Sequence, residues 1–150
     1  MFRIYRDVRF SKDKSPYKLH AACQFRHALG KDAHTVGFYV HMSTEEAVFG
    51  GGIWMPPSEE LHKIRETIVD NPNAWREIKT SRTVKKYFGG IGGDGLKRPP
   101  RGFDADHEHI DDLKRKSYFL MRREPPEIIL EDNFVNEVDK TFKAAMPLME

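Results

Sequence analysis

The chain has 150 residues, which fits one domain built around one hydrophobic core. Charged residues make up 32% and aromatic residues 11%, a polar but globular composition that excludes a largely disordered chain. The net charge of +2 excludes a protein that coats nucleic acid through its overall charge, so any basic site has to arise from local clustering.

The single cysteine, Cys23, excludes an intrachain disulfide and favours a reducing compartment. The N-terminal "MFRIYRD" is charged from its third residue and lacks the apolar core of a signal peptide. No stretch is long and apolar enough to cross a bilayer. These features predict a cytoplasmic protein with no membrane contact.

The first half of the sequence predicts strands. Residues 2–10 alternate between apolar and polar side chains, as in a half-buried strand. Arg6 falls on the apolar face, where a buried arginine needs a carboxylate or several other acceptors. Residues 19–27 suit a strand or a short helix. Residues 35–43 and 45–55 predict a hairpin. A triple glycine inside its second strand indicates a bulge or the close approach of another group.

Helices predominate after the hairpin. Apolar residues at helical spacing predict helices at 56–72, at 82–88, at 104–116 and at 132–145, and a further helix that begins at Pro72. Glycine and proline residues mark the ends of helices. One late strand is predicted at 116–124. Strands are thus grouped early and helices follow. This order predicts a single α+β domain over residues 1–150, with a mainly antiparallel sheet and helices packed on it.

The loop at 89–103 matches G-x-G-x-x-G through Gly90, Gly92 and Gly95. A helix precedes it and prolines follow, so it lacks the strand and helix that flank a dinucleotide-binding loop. Lys97 comes one position too late for a phosphate-binding P-loop. Two interpretations remain: a loop whose backbone N–H groups meet an anion, or an ordered surface loop.

The acid-rich run "DADHEHIDD" contains two histidines that are two positions apart, so on a helix they point to different sides. An acidic helix start is favoured over a metal site. Cys23 has no nucleophile motif around it and fits a small buried side chain better than a catalytic thiol. The sequence therefore predicts no metal and no cofactor, and it leaves open whether the protein is an enzyme.

Basic side chains give the strongest functional signal, because two loops concentrate them beside aromatic residues. Arginine suits bidentate capture of phosphate or carboxylate, and lysine supplies a compact charge. The alternative is that these side chains pair with the 23 acidic residues on solvated surfaces. The predicted ligand-binding residues are Arg6, Arg9, Lys12, Lys14, Tyr17, Lys18, His41, Trp54, Lys97, Arg98 and Arg101.

Four segments, "RIYRDVRFSKDKSPYK", "FGGGIWMP", "KRPPRGFDADH" and "KSYFLMR", occur in this order over nearly the whole chain. Together they resemble a family of conserved hypothetical proteins catalogued as domain of unknown function 2461. The resemblance implies an α+β domain and no established activity. Members of that family carry a further, largely helical region before the "RIYRD" segment, so the resemblance implies a shortened form here. A homodimer is then expected to cover the sheet face that the helices would cover.

Three functional hypotheses follow from these patterns. The first is a site for a phosphate- or carboxylate-bearing small molecule, formed where the two basic loops meet. The second is an interaction or structural module, in which "RFSKDKSPYK" is a turn closed by Asp13 and stiffened by Pro16. The third is nucleic-acid binding, which the interleaved aromatic and basic residues suggest and the near-neutral net charge disfavours.

Overall fold

A meander of four antiparallel strands, in the order β1-β2-β3-β4, forms the centre of the fold. The computed structural model describes residues 3–10, 12–26 and 35–150. The strands are β1 (His20–Arg26), β2 (Gly37–Ser43), β3 (Ala47–Ile53) and β4 (Tyr118–Glu124). The α+β prediction with an antiparallel sheet is confirmed, and residues 19–27 contain the strand rather than the helix.

Five α-helices and two short 3-10 helices accompany the sheet in the described part of the chain. They are α1 (Ser58–Asp70), α2 (Pro72–Thr80), α3 (Arg82–Phe88), α4 (Ile110–Leu113) and α5 (Phe134–Ala145), with 3-10 turns at Pro126–Leu130 and Met146–Leu148. Pro72 starts α2 because a proline at the first helical position loses no hydrogen bond. Gly89 ends α3 in a left-handed conformation, with φ of 71°.

The strand register divides the sheet into two faces. Residues paired directly across neighbouring strands point to the same side, and Val40, Phe49 and Arg122 form such a row. Tyr39, Gly50 and Met121 form a row on the opposite side. We call the first side the covered face, because the helices pack on it, and the second side, on which no described helix packs, the open face.

Two apolar clusters lie on the covered face. The larger joins the ends of β3 and β4 to α1, α2 and α3, and its members include Ile53, Trp75 and Leu120. The smaller joins β2 and β3 to α5 through Phe49 and Phe134, whose rings meet edge to face at 5.9 Å. Burial of these rings and branched side chains is the main stabilising contribution to the fold.

The predicted strand at residues 2–10 is wrong for the described residues 3–10. Tyr5 forms one isolated antiparallel bridge, to Tyr17, and the chain folds back on itself there. Phe10 is 95% exposed and Ile4 54% exposed, so the apolar alternation does not mark a buried face. Arg6 has the carboxylate partner that was expected, Asp13, but lies in a partly exposed position within this fold-back.

The helix predicted at 104–116 is also wrong over most of its length, since only Ile110–Leu113 is helical. The side chain of Asp104 accepts a hydrogen bond from the Asp106 N–H (2.9 Å), and Nδ1 of His107 accepts one from the His109 N–H (3.1 Å). Side chains that bind nearby backbone donors in this way compete with the helical hydrogen bonds. Turns therefore replace the first part of the predicted helix.

Among the described residues, no helix has the length and hydrophobicity required to span a membrane.

Candidate functional site

The open face is floored by a strand with little side-chain bulk. On β3 the residues that point to this face are Val48, Gly50 and Gly52. A Cβ atom on Gly50 would lie 1.9 Å from the carbonyl oxygen of Leu120, and one on Gly52 would lie 2.3 Å from that of Tyr118. The triple glycine predicted the close approach of another group, and that group is the backbone of β4. Because β3 carries little side-chain bulk here, the side chains of the neighbouring strands project beyond it on the open face.

These side chains enclose a cleft of about 390 Å³, which is within the range of small-molecule sites. Its lining comes from all four strands and Trp54, and no described helix contributes to it. The lining residues are Gln24, Gly37, Phe38, Tyr39, Val48, Gly52, Ile53, Trp54, Phe119, Met121 and Arg123. The cleft thus combines an apolar body with a few polar groups, an arrangement that orients a bound molecule.

Trp54 forms one end of the cleft. Trp54 is 57% exposed, and its indole lies against the Phe119 ring, with centroids 5.5 Å apart and planes tilted by 35°. The next residue, Met55, has φ of 45°, the one positive φ among the described non-glycine residues. The buried Ser117 hydroxyl accepts the Met55 N–H at 2.9 Å and holds this strained turn. Strained backbone of this kind clusters at functional sites.

Histidine and arginine occupy the other end of the open face. The rings of His20 and His41 stack with centroids 4.6 Å apart, and the Tyr39 hydroxyl lies 3.4 Å from Nδ1 of His41. Arg123 pairs with Glu46 at 2.6 Å on the surface. Burial, together with the nearby His20 and Arg123, lowers the pKa of His41, although Glu46 opposes the shift. His41 therefore favours its neutral form at this end.

The acid-rich run contributes a buried polar network on the covered face. The Asp112 carboxylate accepts hydrogen bonds from Trp75 Nε1 (3.0 Å), Lys79 Nζ (2.8 Å) and Arg115 Nε (3.1 Å). Burial alone would raise the pKa of Asp112, but these three donors lower it overall. The Tyr118 hydroxyl donates to the Asp112 carbonyl at 2.8 Å, and burial raises the pKa of Tyr118 to about 12. The network fastens α4 to α2 and β4.

One histidine of this run packs against the start of α2. His109 is buried, and its Nε2 lies 3.0 Å from the Pro72 carbonyl oxygen. Over residues 3–10, 12–26 and 35–150, no group of three or more histidine, cysteine or acidic side chains is placed to hold a metal ion.

The basic residues predicted near the N-terminus lie in the N-terminal fold-back, which comprises the described residues 3–10 and 12–18. Arg6 pairs with Asp13, and Arg9 pairs with Asp7 at 2.7 Å. Lys14 Nζ donates to the Val8 carbonyl at 2.8 Å. Tyr17 packs on Tyr5, with ring centroids 5.6 Å apart, while Lys12 is exposed and Lys18 half-buried. Much of the positive charge in this segment is thus bound by the segment itself.

The second predicted group, Lys97, Arg98 and Arg101, lies on the surface loop between α3 and α4. The Leu96 N–H donates to the Lys114 carbonyl at 2.8 Å, and Phe103 packs on the His62 ring at 5.3 Å, so the loop is fixed at both sides of these residues. All three are exposed. Within the described residues, no hydrogen bond or ion pair involves their side chains.

The structure thus places the predicted site residues in three regions: the N-terminal fold-back, the loop at 95–103, and the open face, which holds His41 and Trp54. Among the described residues, no hydrogen bond or ion pair joins residues 9–18 to residues 95–103. Neither loop lines the open-face cleft, nor a second cleft of about 390 Å³ between α1, α2 and the C-terminal turn. That the two loops share one ligand stays a prediction.

Several cleft residues were missing from the prediction. Phe119 and Met121 alternate with the buried Tyr118 and Leu120, so β4 is apolar on both sides. That pattern was a usable signal, because an apolar strand face without a helix partner indicates a cleft or an interface. Arg123 gave no such signal, since its place beside Val48 depends on the register between β3 and β4.

Comparison with known proteins identifies one family. The model of the family described as "Conserved hypothetical protein (DUF2461)" matches residues 1–150. No curated protein and no solved structure matches the chain.

Proposed function

The chain belongs to the DUF2461 family, whose description names no activity, and we propose from the geometry that it binds a small molecule bearing a phosphate or carboxylate group in the open-face cleft. The observation that carries the proposal is the cleft itself: a low glycine floor with an aromatic wall at one end and Arg123 at the other. Both apolar clusters instead fill the space between the sheet and the helices.

Charge on the open face supports an anionic ligand. Arg26 and Arg123 carry positive charge on this face, and Glu46 is the acidic side chain that pairs with Arg123. The Arg123–Glu46 pair is solvent-exposed, so it contributes little stability and a phosphate or carboxylate can replace the Glu46 carboxylate. The planar guanidinium then offers two parallel donors to the ligand's oxygens.

The proposal keeps the ligand class that the sequence predicted and places the main contacts on the open face. The exposed cations of the loop at 95–103 remain the alternative anion site. Residues 9–18 support the second hypothesis, a structural turn, because Asp13, Lys14 and Tyr17 each have a partner within the fold-back. Cytoplasmic location, homodimer formation and nucleic-acid binding stay predictions from the sequence.

Calorimetric titration with pyrophosphate, ribose-5-phosphate and citrate tests the proposal and its location. We expect at least one of these anions to bind, and the variant Arg123→Met to weaken that binding by about tenfold, the loss of one charged hydrogen-bond pair. Arg76→Met is the matched control, since Arg76 is also exposed and ion-paired, to Glu108, outside the cleft.

Two results would contradict the open-face site. Binding that is unchanged in Arg123→Met but lost in the double variant Arg9→Ala/Arg98→Ala would assign the anion to the basic loops. An absence of binding for all three compounds would favour the structural or interaction module.

A further inference from the structure

The two ends of the open-face cleft have different chemistry and a defined separation. Gly52 pairs with Phe119 at the aromatic end, and Val48 pairs with Arg123 at the basic end. Four residues of extended strand separate these pairs, which corresponds to about 13 Å. A ligand that contacts both ends must therefore be elongated, with its anionic group well separated from the part that meets the rings.

The aromatic end suits a planar ring. Trp54 and Phe119 present neighbouring rings on the cleft wall, and Trp54 is an exposed residue. The strained Met55 turn, held by the buried Ser117 hydroxyl, keeps Trp54 at the rim instead of in the core. Exposed aromatic side chains of this kind are stacking platforms for heteroaromatic bases.

The basic end suits phosphate. Arg123 supplies a guanidinium at the cleft edge, and the stacked pair His20 and His41 lies on the same face of the neighbouring strands. Gln24 and Tyr39 line the stretch between the two ends and bring an amide and a hydroxyl to the wall. These are groups that hydrogen-bond to the hydroxyls of a sugar.

We propose that the ligand is a nucleotide, with its base stacked at Trp54 and Phe119, its ribose along Gln24 and Tyr39, and its phosphates at Arg123. This inference rests on the proposed function, because it specifies which phosphate-bearing molecule the cleft takes. A nucleoside diphosphate is long enough to contact both the aromatic end and the basic end of the cleft. A phosphorylated sugar contacts only the basic end, so the separation of the two ends favours the nucleoside diphosphate.

Calorimetric titration with four probes tests the inference: adenosine diphosphate, adenosine, ribose-5-phosphate and pyrophosphate. We expect adenosine diphosphate to bind about tenfold or more tightly than ribose-5-phosphate, since stacking adds to the phosphate contact. Trp54→Ala should remove this advantage and leave ribose-5-phosphate binding unchanged. Trp54→Tyr, which keeps a stacking ring, should retain most of the advantage. Leu130→Ala, an exposed apolar position outside the cleft, is the control.

The outcomes separate this inference from the proposed function. If ribose-5-phosphate and pyrophosphate bind in an Arg123-dependent manner and adenosine diphosphate binds no more tightly, the nucleotide assignment fails and the anion site stands. If Trp54→Ala leaves the advantage of adenosine diphosphate intact, the stacking assignment fails. If a short single-stranded oligonucleotide binds more tightly than adenosine diphosphate and loses affinity steeply with salt, a polymer is the ligand and the nucleotide assignment is overturned.

Discussion

Arg122 and Arg123 are adjacent in β4 and point to opposite faces of the sheet. Arg122 is bound on the covered face by Glu124 (2.7 Å) and Glu137 (2.9 Å), and its guanidinium lies 5.5 Å from the centre of the Phe49 ring. Arg123 is 67% exposed in its side chain and has a surface partner, Glu46. The same residue type thus stabilises packing on one face and borders a cleft on the other. Burial, rather than residue type, distinguishes a structural arginine from a candidate binding residue.

The largest expected difference between the two faces is in how much stability is lost when an apolar side chain is truncated to alanine. Leu120 is fully buried on the covered face and Met121 is half-buried on the open face. Leu120→Ala should lower the free energy of unfolding by about 2–5 kcal/mol, because it leaves a cavity in the core. Met121→Ala should cost about 1 kcal/mol, since only part of its side chain leaves water on folding. Urea unfolding measures both, and equal losses would mean that the open face is as tightly packed as the covered face.

Replacement of the two neighbouring arginines should show a smaller difference in stability, again with the larger loss on the covered face. Arg122→Met removes the partner of two half-buried carboxylates and should destabilise the protein by about 1–3 kcal/mol, the cost of leaving hydrogen-bonded groups without a partner. Arg123→Met removes a surface ion pair and should change stability by less than about 1 kcal/mol. Thermal or urea unfolding of the two variants makes the comparison. A loss for Arg123→Met as large as that for Arg122→Met would show that Arg123 is structural and would weaken its assignment to a binding site.

The smallest effect concerns pH and the open face. Burial lowers the pKa of His41 below its usual 6.5, so the unfolded chain binds more protons than the folded chain below that pH. Stability associated with His41 is therefore complete above the unfolded pKa and decreases as the pH falls below it. His41→Gln should be less sensitive than wild type to acidification, as measured by urea midpoints between about pH 8 and pH 5. His62→Gln, on the exposed side of α1, controls for loss of an imidazole. Identical pH dependence in wild type and His41→Gln would contradict the prediction.

The sequence predicted best those helices and strands that depend mainly on residues nearby in the chain. The hairpin of β2 and β3 was readable from alternation, and its turn closes through the Ser43 N–H and the Glu46 carbonyl at 3.0 Å. The helix predicted at 132–145 is observed as α5, and its Phe134, Val138 and Phe142 pack on the smaller apolar cluster. Alternation failed in residues 3–10, because a period of two identifies a strand-like pattern and says nothing about whether a partner strand lies beside it.

The candidate site was only partly predictable for the same reason. His41 and Trp54 were each predicted as ligand-binding residues, without a predicted relation between them. Their relation to Phe119 and Arg123 required the pairing of β3 with β4, which no local pattern in the sequence specifies. The clustering of basic residues pointed to the two loops, but it does not reveal which of these side chains have acidic partners. In the N-terminal fold-back, Asp13 pairs with Arg6 and Asp7 pairs with Arg9.

The pairing of β3 with β4 also has a kinetic consequence. β2 and β3 meet across a short turn, whereas Gly50 pairs with Met121 only after α1 through α4 have been traversed. Closing such a long loop is entropically costly, and contacts between distant residues slow folding. We therefore expect the wall formed by Phe119 and Arg123 to assemble after the hairpin. A ligand that contacts both the hairpin and β4 would stabilise a pairing that forms late in folding. Such a ligand should therefore lower the unfolding rate more than it raises the folding rate.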